Sequence, residues 1–205
     1  MLERQSALQS ALRLHPPGLL GATDSQHARV HLGEHRLGTL VQVTAFASCI
    51  EQAGAMLADL LKLAPPSDNR FSGDAQTNLR AIGPGTWLLA DTAGAAPEPA
   101  ALRSALRGLA TVVDLSHART AFLLAGPAAA LTIAKFCSID IAGGAFPAGS
   151  ATNTRLGHIG MTLTRLDDTP TFEILVYRGY AEHAFETLVN AGAEFGLEIT
   201  GRPSS

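Results

Sequence analysis

From Thr39 the chain alternates: Val41, Val43 and Ala45 share one phase and Gln42 and Thr44 the other, which predicts a half-buried strand. Ser48 and Glu51 have the spacing of a capping box, and Ile50, Ala53, Leu57, Leu60, Leu61 and Ala64 then recur at helical intervals until Pro65-Pro66. Leu79 to Ile82 and Trp87 to Ala90 are short apolar runs joined by Gly83-Pro84-Gly85-Thr86, a hairpin connection. A second helix from Pro97 sets Leu102, Leu106 and Leu109 on one face, and Val112 to Leu115 returns as a strand. The order is β-α-β-β-α-β.

The same order follows again. Ala121 to Ala125 reads as a strand, Gly126-Pro127 opens a helix running to about Cys137, and a Gly/Pro-rich loop occupies 142–150. His158 to Leu166 alternates strictly, Asp167-Asp168-Thr169-Pro170 turns the chain, and Phe172, Ile174 and Val176 mark the returning strand. Ala181, Ala184, Phe185, Leu188, Ala191 and Phe195 share a helix face that Gly196 ends, and Leu197 to Thr200 adds a last strand. The predicted fold is α+β, two ferredoxin-like β-α-β-β-α-β units packed together. Residues 39–117 form the first unit and 118–200 the second, with an N-terminal arm over 1–38 and a tail over 201–205.

The totals narrow the function. A fold of 205 residues buries about 70% of its unfolded surface and needs no covalent staples. Cys49 and Cys137 lie in or beside apolar runs, as free thiols do in a reducing compartment, with one disulfide as the alternative. Neither a signal peptide nor a run of about 18 apolar residues is present, so the expected location is the cytoplasm, away from membranes. Lys and Arg number 15 against 18 Asp and Glu and are scattered, which argues against nucleic acid. Charged residues make up 16% of the chain and apolar ones 46%, a surface suited to being covered by a neighbour.

Candidate chemistry is sparse. His27, His31 and His35 have a spacing that suits zinc on a helix, but Gly33 and the Val30/Leu32 alternation predict extended chain, a solvated strand or arm. Asp114, Ser116 and His117 bring together a carboxylate, a hydroxyl and an imidazole, yet on a strand His117 faces away from the other two. A turn before Arg119-Thr120 accounts for them. The glycines at 83 and 85, and at 143, 144 and 149, lack the spacing of a dinucleotide or phosphate loop. Cys137 has only Lys135 nearby and reads as a packed thiol; Trp87 reads as a core anchor. Arg119, Arg155, Arg165 and Arg178 sit at strand ends, placed either to gather round an anion or to pair at a subunit surface.

Several stretches together resemble a known family. They are Leu63-Ala64-Pro65-Pro66 with Asn69, Ile82-Gly83-Pro84-Gly85-Thr86-Trp87-Leu88-Leu89, and Val113-Asp114-Leu115-Ser116-His117-Ala118-Arg119-Thr120. Leu124-Ala125-Gly126-Pro127, Cys137-Ser138-Ile139-Asp140-Ile141, Phe146-Pro147-Ala148-Gly149, Thr154-Arg155-Leu156-Gly157 and Tyr177-Arg178-Gly179-Tyr180 complete the set. In order and spacing, from about 35 to 196, they resemble the gamma subunits of heterotetrameric sarcosine oxidases, small relatives of the folate-dependent aminomethyltransferases. Gly85-Thr86 departs from that family's usual acidic pair.

The resemblance implies a non-catalytic structural subunit with alpha, beta and delta partners. The complex it implies oxidises sarcosine to glycine, yielding hydrogen peroxide and 5,10-methylenetetrahydrofolate. It also implies that FAD, FMN, NAD, tetrahydrofolate and zinc belong to other subunits, with no cofactor, metal or catalytic residue on this chain. The aminomethyltransferases carry an aspartate pair after a Gly-Gly; here Gly160 is followed by Met161 and Thr162, which cannot supply a carboxylate. Residues expected at partner contacts or in family motifs are Trp87, His117, Arg119, Arg155, His158, Arg178 and Tyr180. The rival readings are a stand-alone folate-binding aminomethyltransferase-like protein and an amino-acid sensor domain.

Overall fold

The computed structural model of the chain describes residues 6–21, 24, 26–66, 68–142 and 144–200. Residues 1–5 of the expected arm, Gly143 and the expected tail 201–205 lie outside them. The rest of the segment expected as an arm folds: α1 (Ala11–Leu14), β1 (Gly18–Leu20) and β2 (Val30–His35). Next come β3 (Thr39–Ala45), α2 (Ile50–Leu61), β4 (Phe71–Gly73), β5 (Thr77–Gly83), β6 (Thr86–Asp91), α3 (Pro99–Ala105) and β7 (Ala110–Asp114). The second half carries β8 (Arg119–Ala125), α4 (Ala129–Ala134), β9 (Ala151–Leu156), β10 (Ile159–Arg165), β11 (Phe172–Tyr177), α5 (Ala181–Gly192) and β12 (Leu197–Ile199).

Leu37–Ala118, with Gly149–Thr152, forms one unit. Its five-stranded sheet runs β4-β5-β6-β3-β7, all neighbours antiparallel. Without the short edge strand β4 this is the strand order of a ferredoxin-like unit. The phase read from sequence becomes the core: Val41, Val43, Leu79, Ala81, Trp87, Leu89 and Val112 join Ala53 and Leu57 of α2 and Leu102 of α3. Helix α2 differs from expectation at both ends. A 3-10 turn over Ala47–Cys49, closed by the Cys49 N–H on the Phe46 carbonyl, absorbs Ser48, so no capping box forms. Lys62 ends the helix in the left-handed conformation, short of Ala64, which Pro65 disfavours in helix.

The described residues of Met1–Arg36, Arg119–Ala148 and Asn153–Ser205 form the other unit. Its sheet runs β1-β12-β2-β8-β11-β10-β9. A ferredoxin-like unit pairs its closing strand with its first strand; here β2 intervenes, parallel to β12 and antiparallel to β8. Over Val30–His35 the chain is therefore a sheet strand and not a solvated arm. Val30 and Leu32 are fully buried in a core with Phe122, Leu124, Ile174 and Phe185, and excluding them from water favours strand insertion over a solvated arm. On β10, Met161 and Leu163 face that core, and Thr162 and Thr164, on the other phase of the alternation, are buried as well.

Candidate functional site

Strand β2 carries the three-histidine pattern only in part. His27 precedes the strand and pairs at the surface with Asp24, Nδ1 to Oδ1, at 2.7 Å. His31 and His35 project from the non-core phase, where His31 meets Glu198 of β12 and His35 meets Glu173 of β11, each at 3.0 Å. Glu173 is 1% exposed, so His35 is a buried carboxylate's partner and not part of a solvated strand. On the core phase, Glu34 accepts a 2.7 Å hydrogen bond from the Ser6 hydroxyl. Among the described residues no group of His, Cys, Asp and Glu has the arrangement of a metal site.

The Met161-Thr162 pair sits inside β10. Met161 is in the core, and Thr162 donates from Oγ1 to Asn153 at 2.7 Å.

Asp114, Ser116 and His117 build a turn. Asp114 Oδ1 accepts from the Ser116 N–H at 2.9 Å and its hydroxyl at 2.6 Å, and Ser116 Oγ accepts from the Leu40 N–H at 3.0 Å. Those Ser116 bonds hold the Asp114 carboxyl below its ordinary pKa; His117 points into solvent. Trp87 is a core residue. Cys137 is buried against Thr154, and Lys135 turns away to the Ala191 carbonyl and to Glu194 at 2.7 Å.

The four arginines lie on four different elements, β8, β9, β10 and the turn after β11. Arg165 anchors its own neighbourhood, donating to the Phe146 carbonyl at 2.9 Å. Arg155 and His158 are exposed on β9 and at the β9–β10 turn. Arg178 and Tyr180 lie on a 3-10 turn over Arg178–Tyr180, with Tyr180 56% exposed. Arg119 stacks its guanidinium 3.6 Å from the centroid of the Tyr177 ring. Sequence reasoning missed Tyr177. The available signal was its phase, out of step with Phe172, Ile174 and Val176, which marks an aromatic turned from the core.

Each unit also has an open groove. One, of about 310 Å³, lies between Leu60, Leu63, Asp74, Thr77 and Ala96; the other, of about 410 Å³, is lined by Leu131, Cys137, Ile139 and Asp140.

The two-sheet α+β architecture with a split β-α-β repeat is the aminomethyltransferase-like fold. The sequence matches the family model of the GCVT N-terminal domain over residues 81–205, and the chain belongs to that family. It is 33% identical over 137 residues to sarcosine oxidase subunit gamma of Corynebacterium sp. strain U-96. That alignment spans 64% of each chain, a little under two thirds of the relative's length. A chain of the heterotetrameric sarcosine oxidase from Corynebacterium sp. U-96, solved with pyrrole 2-carboxylate, is similar at TM-score 0.78 and 28% identity, covering 94% of this chain and 96% of that one. Aminomethyltransferase T of the glycine cleavage system from Bartonella henselae shares the fold, with TM-score 0.66 and 17% identity over 97% of this chain and 59% of that one.

Proposed function

We propose that the chain is a non-catalytic, gamma-type structural subunit of a heterotetrameric sarcosine oxidase, working in the cytoplasm with alpha, beta and delta partners. The observation that carries this reading is the nearly end-to-end likeness to one chain of such an assembly, 94% of this chain against 96% of that one. The buried Met161 and the engaged Thr162 support it, because a thioether and a hydroxyl stand where the aminomethyltransferases carry a carboxylate. Among the described residues no helix is long and apolar enough to cross a membrane. The assembly takes FAD, FMN, NAD, tetrahydrofolate and zinc on its other subunits, and this chain supplies surface.

Co-expression with the three partner subunits, followed by affinity capture and size-exclusion chromatography, tests the reading. The chain is expected to co-elute in the active oxidase; a chain that stays alone while active oxidase forms without it removes the proposal. The stand-alone folate-binding alternative rests on the shared aminomethyltransferase fold. Calorimetry with tetrahydrofolate on the isolated chain separates the two, because micromolar binding belongs to the alternative alone.

A further inference from the structure

Arg119 opens β8 and Tyr177 closes β11, and the antiparallel register sets them directly opposite each other. Both lie on the phase that faces away from Phe122, Leu124, Ile174 and Val176, outside the core. Tyr177 is 51% exposed, and Tyr180 stands on the turn that follows it. Arg119 is partly buried, and burial lowers its pKa, the sign of a cation stripped of part of its water. Among the described residues it makes no ion pair and no side-chain hydrogen bond, and its guanidinium stacks on the Tyr177 ring.

A guanidinium laid on an aromatic ring keeps its N–H edge for an acceptor, and that planar fork matches a carboxylate in two parallel bonds. A partly desolvated cation that makes no ion pair among the described residues, seated on a half-exposed tyrosine, has the composition of an interface hot spot. The chain is net acidic, at −3, so this cation is a local exception and not part of a basic field.

We propose that Arg119, seated on Tyr177, is a carboxylate-binding anchor on which an acidic side chain of a partner subunit docks. The proposal rests on the subunit reading above and adds to it the residue and the partner chemistry. Arg119 takes the carboxylate, and Tyr177 holds the guanidinium in place.

The test uses the full chain co-expressed with the alpha, beta and delta subunits, with complex dissociation read by mass photometry across a dilution series. Arg119→Ala and Arg119→Lys are each expected to weaken assembly by about 30-fold, the lysine because it lacks the planar fork. Tyr177→Phe keeps the ring and stays within about twofold of the parent. Melting curves monitored by circular dichroism separate folding from binding. Should Arg119→Ala fail to fold, Arg119→Lys decides: parental affinity in that variant overturns the anchor.

Parental affinity in a well-folded Arg119→Ala overturns the anchor while leaving the subunit reading intact. If the parent chain never joins the partners, that reading fails and takes the anchor with it. A third arm titrates the isolated chain with acetate and with sarcosine at millimolar concentrations, watching the Arg119 Nε–H by NMR. Saturable binding there assigns the site to a free small carboxylate and overturns the docking role.

Discussion

The two units solve one topological problem differently. In the five-stranded sheet the closing strand β7 lies directly on the first strand β3, with Val43 opposite Val112, so a contiguous stretch supplies every strand of the ferredoxin-like order. In the seven-stranded sheet the closing strand β12 is three residues long and never touches β8; β2, drawn from ahead of the whole repeat, fills the gap. A short strand offers few ladder bonds, and an unpaired edge on β8 invites unwanted pairing. Inserting β2 covers both edges at the entropic cost of a long loop, which grows only slowly with length. A split β-α-β unit can therefore close with a strand that is not its own.

The largest expected effect tests whether that strand is structural. Leu32 is fully buried in the core of the seven-stranded unit. Leu32→Ala should cost about 2–5 kcal/mol, the range for a buried leucine whose site cannot collapse. Urea unfolding gives the magnitude, and hydrogen exchange should show the amides of β8 and β12 losing protection. A change below about 0.5 kcal/mol is what a solvated arm would give, and it would break the comparison.

The same contrast explains what the sequence made legible. Period-two and helical patterns marked β3, α2, the β5–β6 hairpin, α3 and β7, because their partners lie close by in the chain. The Val30/Leu32 alternation was equally visible as extended chain. Its neighbours were not, since β8 and β12 lie far downstream and one strand's phase carries no information about which edge it will meet. The short strands β1 and β4 lacked enough residues to show a period, and β9 was missed whole because Ala151-Thr152-Asn153-Thr154-Arg155-Leu156 has no apolar phase. Arg119 was visible as a strand-end arginine, but its meeting with Tyr177 is a product of register.

Buried carboxylates supply the second test. The seven-stranded unit holds Glu34 on the Ser6 hydroxyl and Glu173 on His35, whereas in the five-stranded unit Asp91 is held by one hydroxyl and the backbone. Its Oδ1 accepts from Thr77 Oγ1 at 2.5 Å and the Ala93 N–H at 3.2 Å, and Oδ2 accepts from the Ala96 N–H at 3.2 Å. Burial alone would raise the Asp91 pKa, but these donors outweigh it and hold it below the ordinary value. A depressed carboxylate stabilises the fold above the unfolded pKa of about 4, and that contribution disappears as pH falls through the lower folded value. Asp91→Ala should cost about 1.5–3 kcal/mol at pH 7. Below pH 4 the gap between variant and parent should narrow, as chemical denaturation repeated along the pH series can check. A gap that stays constant with pH would assign the cost to packing and not to charge.

The smallest effect compares one hairpin from each unit. Gly85, between β5 and β6, and Gly157, between β9 and β10, adopt nearly the same left-handed backbone, at φ +61° and +59°. A methyl group on Gly85 would come within 2.9 Å of the Ile50 side chain, while one on Gly157 meets nothing within 4 Å. Gly157→Ala should therefore cost only the intrinsic strain of an L-residue there, about 1 kcal/mol. Gly85→Ala should cost that and a further fraction for moving Ile50, which is partly exposed and can yield. Ile50→Ala removes the obstacle, so in that background the Gly85→Ala cost should fall to that of Gly157→Ala in a double-mutant cycle. If the Gly85→Ala cost is unchanged by Ile50→Ala, backbone strain accounts for both turns, and the surroundings of the two hairpins contribute nothing to the difference between the units.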